Sequence, residues 1–303
     1  MSGTTAKAVG ARRRRRLSDQ ESAERMIAAA IDMIRESGLT VSLEHLSIED
    51  VIRRADVSRT AVYRRWKYKE DFFADLLRHL ARDPHPAVIT AQFRPDELRR
   101  LATDHLDWVE TAEGRERLYA ELMRVGGAMD LAMLATSHQW RSYIALQAAV
   151  LSIEEGDFRA ELQGILADSE RQIHQRLGAT YAAVADLLGY RIRPDATVTF
   201  DEIAIMCSSV MNGAAIKAQC DASLLTHTVG VAERLDRQGP WSVAAAACYA
   251  ILAMYLEPDP AVTWDAPRIE RIKDVMRRAA QTLATTDPAG FGVDDGLLRL
   301  LRA

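Results

Sequence analysis

Apolar positions recur three and four residues apart along nearly the whole chain, and Gly and Pro interrupt them. Near the start, Ser18 and Glu21 have capping-box spacing, which predicts a first helix carrying Met26-Ile27-Ala28-Ala29-Ala30 and closing at Gly38. Ser47 with Asp50 repeats that spacing and opens a short second helix with Ile48, Val51 and Ile52 on one face. It runs out at Ala55-Asp56. Ser58 then offers the N-cap of a third helix, whose Val62 and Trp66 share a side. A fourth helix is expected from Lys69 to Arg82, with Phe72, Phe73, Leu76 and Leu77 inward. Asp83-Pro84-His85-Pro86 ends it, because Pro cannot continue a helix and restricts the residue before it.

Beyond that break the pattern predicts helices over 95–113, 115–126, 137–155, 158–188, 200–219, 241–256 and 268–286. Gly114, Gly126-Gly127, Gly156, Gly189, Gly239-Pro240, Pro258 and Pro260 punctuate them. There is no sustained strand alternation and no internal repeat. The expected class is all-α, with an N-terminal three-helix helix-turn-helix domain and a larger helical bundle. Four regions follow: a basic arm over 1–17, the helix-turn-helix domain over 18–83, the bundle over 84–256 and an extension over 257–303. In the extension Pro258, Pro260 and Pro267 read as a stiff linker before an amphipathic helix, Arg268 to Leu283, and a tail ending in Leu297 to Leu301. It either packs over the bundle or lengthens a contact with a second copy.

With Val62 and Trp66 turned inward, the third helix presents Arg59, Thr60, Tyr63 and Arg64 on its other sides. A short helix of this kind fits a DNA major groove, where Arg and Thr reach base edges or phosphates. These residues also carry a resemblance. The Ala-rich first helix ending at Gly38 is followed by Ala55, Val57-Ser58, Tyr63, an aromatic at Trp66 and Lys69-Glu70. In that order they resemble the DNA-binding domain of the TetR family of bacterial transcriptional regulators, over roughly residues 20–80, about a quarter of the chain. The chain departs from the family in three places. Asp56 stands where the turn usually has Gly, Trp66 where Phe is usual, and the segment from Leu39 to Leu46 is slightly long.

The resemblance implies base contacts from Arg59 and Thr60, and phosphate contacts from Tyr63, Lys69 and Ser47 at a helix N-terminus. Ser58 and Arg64 complete the expected DNA-facing set, with Arg64 and Arg65 suited to base, phosphate or plain solvent. Arg12, Arg13, Arg14, Arg15 and Arg16 form an unbroken cationic run that either lies along DNA or solubilises the chain. The family also implies a homodimer on a palindromic operator, and a small-molecule effector bound in the body. Two segments rich in small apolar residues, near 203–218 and 243–255, resemble the family's subunit interface; the alternative is ordinary buried core. Trp108, Tyr119, Met123, Met129, Met133, Trp140 and Tyr143 are the candidate liners of an effector pocket, with His105 and His138 as polar partners. The same residue types fill cores equally well.

Charge agrees with one-ended nucleic-acid binding. Residues 1–80 hold 16 Lys and Arg against 12 Asp and Glu, whereas the rest holds 23 against 31. No transmembrane span, secretory signal or cofactor is expected, and the location is expected to be the cytoplasm. Cys207, Cys220 and Cys248 lack metal spacing and read as reduced, mostly buried thiols, redox sensing being the alternative. An enzyme on the bundle is the rival reading. It finds no Glu-x-x-His pair, nucleophile elbow, P-loop or dinucleotide fingerprint, and only a Glu170–His174 helical pair. A second rival is an interaction protein whose head no longer reads DNA.

Overall fold

In the computed structural model, residues 18–37, 46–82, 95–231 and 239–285 are described. The Arg12–Arg16 run, Gly38, the Asp83–Pro86 break and the Leu297–Leu301 tail lie outside them. The chain divides after Leu80 into two compact units.

The first unit holds α1 (Asp19–Ser37), α2 (Ile48–Ala55), α3 (Arg59–Arg65) and the start of α4 (Lys69–Arg82). The capping box at the head of α1 is reciprocal: Glu21 N–H donates to Ser18 Oγ at 3.1 Å, and Ser18 N–H donates to Glu21 Oε2 at 2.7 Å. The expected box at α2 does not form. Ser47 occupies the N-cap without a side-chain bond, and Asp50 turns to pair with Arg53 one turn on. A charged partner at i+3 outcompetes the return bond to the N-cap. Met26, Ala30, Ile34, Val51, Val62, Trp66, Phe72 and Leu76 make the core of this unit.

The second unit is a bundle built from α5 (Pro95–Asp104), a 3-10 helix (Leu106–Glu110), α6 (Ala112–Thr136), α7 (His138–Ser152), α8 (Asp157–Leu187), α9 (Phe200–Cys220), α10 (Val243–Tyr255) and α11 (Ala266–Thr285). α6, α9 and α10 pack on one another at its centre, with α8 against α9. Val109, Leu118, Leu134, Ile203, Cys207, Ala215, Ala244, Leu252 and Ile272 fill the space between them.

Three expectations are corrected here. The chain turns at residues 105–111 rather than at Gly114, and α6 runs unbroken through Gly126-Gly127. Gly127 is not punctuation: a Cβ there would come within 2.8 Å of the Ala245 Cβ, so its bareness lets α10 approach α6. Short strands also exist. β1 (Tyr190–Ile192) pairs antiparallel with β4 (Leu256–Pro258), and β2 (Thr228–Val229) with β3 (Trp241–Ser242). Pro258 therefore closes a ladder instead of opening a free linker, and α10 begins at Val243 because Trp241-Ser242 is spent on β3. The extension question is also decided, since α11 lies on α5 and on the 3-10 helix, with Lys273 Nζ 2.7 Å from Glu110 Oε1.

Candidate nucleic-acid interface

The turn between α2 and α3 depends on Asp56, the one non-Gly residue of positive φ among those described, at φ 51° and ψ 46°. Asp tolerates this left-handed conformation better than most residues, so the turn closes without the usual Gly. Ser58 then caps α3, accepting from Ala61 N–H at 3.2 Å. The helix is pinned from below by Val62, 1% exposed, and by Trp66 at its C-cap, 3% exposed. The larger indole is accommodated by a partner that Phe would lack: Trp66 Nε1–H donates to Asp75 Oδ2 at 2.9 Å, and Phe72 meets the ring edge-on at 5.0 Å.

With that side buried, Arg59, Thr60, Tyr63 and Arg64 are exposed together on the opposite side of α3. None of their groups is free to hang in solvent except Thr60. Arg59 pairs with Glu49 at 2.5 Å, the Tyr63 hydroxyl donates to the other Glu49 oxygen at 3.3 Å, and Arg64 pairs with Asp19. Arg65 lies 3.7 Å from Asp75. Lys69 starts α4 with its ammonium 5.0 Å from the Phe73 ring centre, and Ser47 heads α2 with an uncommitted hydroxyl. Glu49 is the residue that sequence reading missed. Its position in the first turn of α2 suggested only a favourable dipole contact.

The candidate effector residues fall into separate places in the body. His105 stacks on Trp108 with ring centres 3.9 Å apart. Tyr119 is buried and stacks on Tyr190 at 4.7 Å, close to Tyr249. Trp140 is buried and donates to Asn212 Oδ1 at 2.9 Å, while Met123 packs against the central core and Met133 is buried. Tyr143 donates to Glu170, which also accepts from Gln147 at 2.9 Å, and His174 Nε2 lies 3.5 Å from the same carboxylate. Burial first, and the Glu170 bond second, push the Tyr143 phenol well above its ordinary range. The side chain of His138 lies outside the described residues.

Cys207 and Cys248 are buried on facing helices, the Cys248 thiol directed at the Cys207 carbonyl at 3.7 Å, and Cys220 is exposed. On α9 Ile205 and Ile216 are each 44% exposed; on α10 Val243 is 41% and Met254 67% exposed. Their spacing, eleven residues apart on each helix, puts each pair on one face. Among the described residues no helix is long and apolar enough to cross a membrane.

Residues 26–76 match the family described as bacterial regulatory proteins, tetR family. No curated protein matches the chain. Among solved structures, a transcriptional regulator from Rhodococcus sp. Rha1 is 22% identical, covering 77% of this chain and 97% of its own, with a TM-score of 0.35. Full-length native TylP, a TetR regulator from Streptomyces fradiae, is 17% identical, covering 86% and 92%, with a TM-score of 0.28. The family assignment therefore rests on the N-terminal domain.

Proposed function

The chain belongs to the TetR family of bacterial regulatory proteins, and on that premise we propose that it is a homodimeric repressor that binds a palindromic operator and releases it when a small molecule occupies the body. One observation carries the DNA-binding half. A short helix buries Val62 and Trp66 beneath it and turns Arg59, Thr60, Tyr63 and Arg64 outward together. Arg59 and Thr60 read base edges; Tyr63, Lys69, Ser47 and Ser58 hold phosphate and set the register. Arg12 to Arg16 extend along the backbone or into the minor groove ahead of α1.

The dimer half is supported by the exposed apolar residues Ile205, Ile216, Val243 and Met254, which a soluble chain covers with a second copy. Two heads spaced about 35 Å apart then read two half-sites one helical turn apart. An effector weakens DNA binding only by favouring the conformation with the wrong spacing. Regulators of this family are generally DNA-binding proteins without enzymatic activity, and we read this chain likewise.

The test is an anisotropy titration on DNA flanking the protein's own gene, against shuffled DNA, across several salt concentrations. Preference for the native fragment with a steep salt slope supports the reading. In that assay Tyr63→Phe weakens all DNA alike, whereas Arg59→Ala and Thr60→Ala erode sequence preference by about 1–3 kcal/mol each. Three variants with unchanged affinity and preference would refute this docking.

A further inference from the structure

Within the helical body, two guanidinium groups meet at one indole with no carboxylate between them. Arg115, in the first turn of α6, has its guanidinium carbon 3.6 Å from the Trp264 ring centre; Arg268, in the first turn of α11, is 5.0 Å from the same centre. Among the described residues neither has an acidic side chain within ion-pair distance. Arg115 Nη1 donates to the Val109 carbonyl at 3.0 Å, and Arg268 Nη2 to the Asp186 carbonyl at 2.6 Å. The nearest carboxylates along the chain serve elsewhere. Glu113 pairs with Arg117, and Asp265 accepts the Arg268 main-chain N–H at 2.9 Å. Both arginines stand at helix N-termini, so no carbonyl end neutralises them. Burial, and then the like charge of Arg268, push the Arg115 guanidinium down from its ordinary pKa, with Tyr190 opposing. Arg268 Nε is buried without an acceptor.

A second observation points to the same place. Tyr190 interacts electrostatically with Arg115, and its ring stacks on Tyr119. Tyr119 is 4% exposed, and its hydroxyl has no hydrogen-bond partner. Buried hydroxyls are almost always paired, so an orphan beside two unneutralised cations calls for an absent acceptor. Burial is the main cause that pushes the Tyr190 phenol up to about 12, with Glu116 and Tyr249 adding to it. Burial likewise raises Tyr119 far above its ordinary value, so both phenols stay protonated donors at neutral pH.

We propose that Arg115, Arg268, Tyr190 and Tyr119 form a binding site for a small aromatic carboxylate, held by the guanidinium pair and laid along the tyrosine stack. Planar guanidinium forks match a carboxylate, and the tyrosine rings supply an aromatic surface that a bare inorganic anion leaves unused. Trp264 fixes the fork of Arg115 by stacking. Trp264 and Arg268 come from the C-terminal extension, which thereby gains a role beyond covering α5. The proposal deepens the effector reading by naming the ligand class, and it rests on that reading only for the consequence on DNA.

Calorimetric titration of the full chain with benzoate and cinnamate, with benzamide and inorganic phosphate as controls, tests the site without DNA. Saturable carboxylate binding, with benzamide and phosphate at least about tenfold weaker, is expected. Arg115→Gln and Arg268→Gln each weaken carboxylate binding about tenfold or more. Absence of saturable carboxylate binding, equal binding of benzamide or phosphate, or indifference to both arginine variants overturns the site. Should either arginine variant lose its helical circular dichroism, Tyr119→Phe decides. It removes one buried oxygen, and unchanged carboxylate affinity then refutes the proposal. A carboxylate that binds yet leaves DNA affinity untouched supports the site and overturns the effector reading.

Discussion

Arg59 and Glu49 are ion-paired at 2.5 Å, joining the first residue of α3 to the first turn of α2. Tyr63 donates to the same carboxylate, so one acidic side chain holds two members of the DNA-facing set. Phosphate must displace that carboxylate. The pair is exposed and individually weak, yet its negative charge stands close to where the DNA backbone would run. Glu49→Gln is therefore expected to tighten binding to operator and shuffled DNA alike, by about 1 kcal/mol or roughly fivefold. Anisotropy at low salt measures it; weaker binding by the variant would place the carboxylate in a positioning role instead.

Trp66→Phe removes the indole N–H bond to Asp75 and part of a buried ring while keeping the contact with Phe72. Combining a lost bond and a small cavity, the head should lose about 1–3 kcal/mol of stability. Denaturant unfolding followed by circular dichroism reads this directly. A variant as stable as the parent would mean that Phe fills the site and Asp75 is content with Arg78 and Arg65.

Two adjacent glycines of α6 are expected to respond in opposite ways. A Cβ at Gly126 meets nothing within 4 Å, so Gly126→Ala should stabilise the helix by about 0.5–1 kcal/mol. A Cβ at Gly127 meets Ala245 backbone at 2.9 Å as well as its Cβ, so Gly127→Ala should destabilise by about 1–3 kcal/mol through overpacking. Parallel thermal melts of the pair decide the matter, and equal shifts would contradict the close approach of α6 and α10.

Ile205→Asp with Met254→Asp places charge on the exposed apolar faces of α9 and α10. If these faces join two copies, sedimentation velocity should show a dimer turning to monomer while helical content is kept, and affinity for a palindrome should fall with it. A double variant that remains dimeric places the interface elsewhere.

The physics that was legible in sequence is local. Ser18 and Glu21 cap α1 because both partners lie within one turn, and α4 spans Lys69–Arg82 as its apolar spacing required. The exposed side of α3 was readable for the same reason, since Val62 and Trp66 had to face inward. The Ser47–Asp50 box failed because Arg53, equally local, was a stronger partner for Asp50. Gly114 and Gly127 misled because a bare Cα signals a turn and a close helix contact identically. Only the neighbours Trp108 and Ala245 distinguish the two.

By itself, then, the sequence determined an all-α chain, the helix-turn-helix and the family of its N-terminal domain. These follow from periodicity, caps and one turn that act over three to five residues. Tertiary structure alone decided that Glu49 engages Tyr63 fourteen residues away, that Lys273 reaches Glu110 across 163 residues, and that Arg115, Trp264 and Arg268 converge. Such partnerships have no period. They arise where packed helices deliver side chains to a common place, and burial there leaves charges and hydroxyls seeking partners that local sequence does not name.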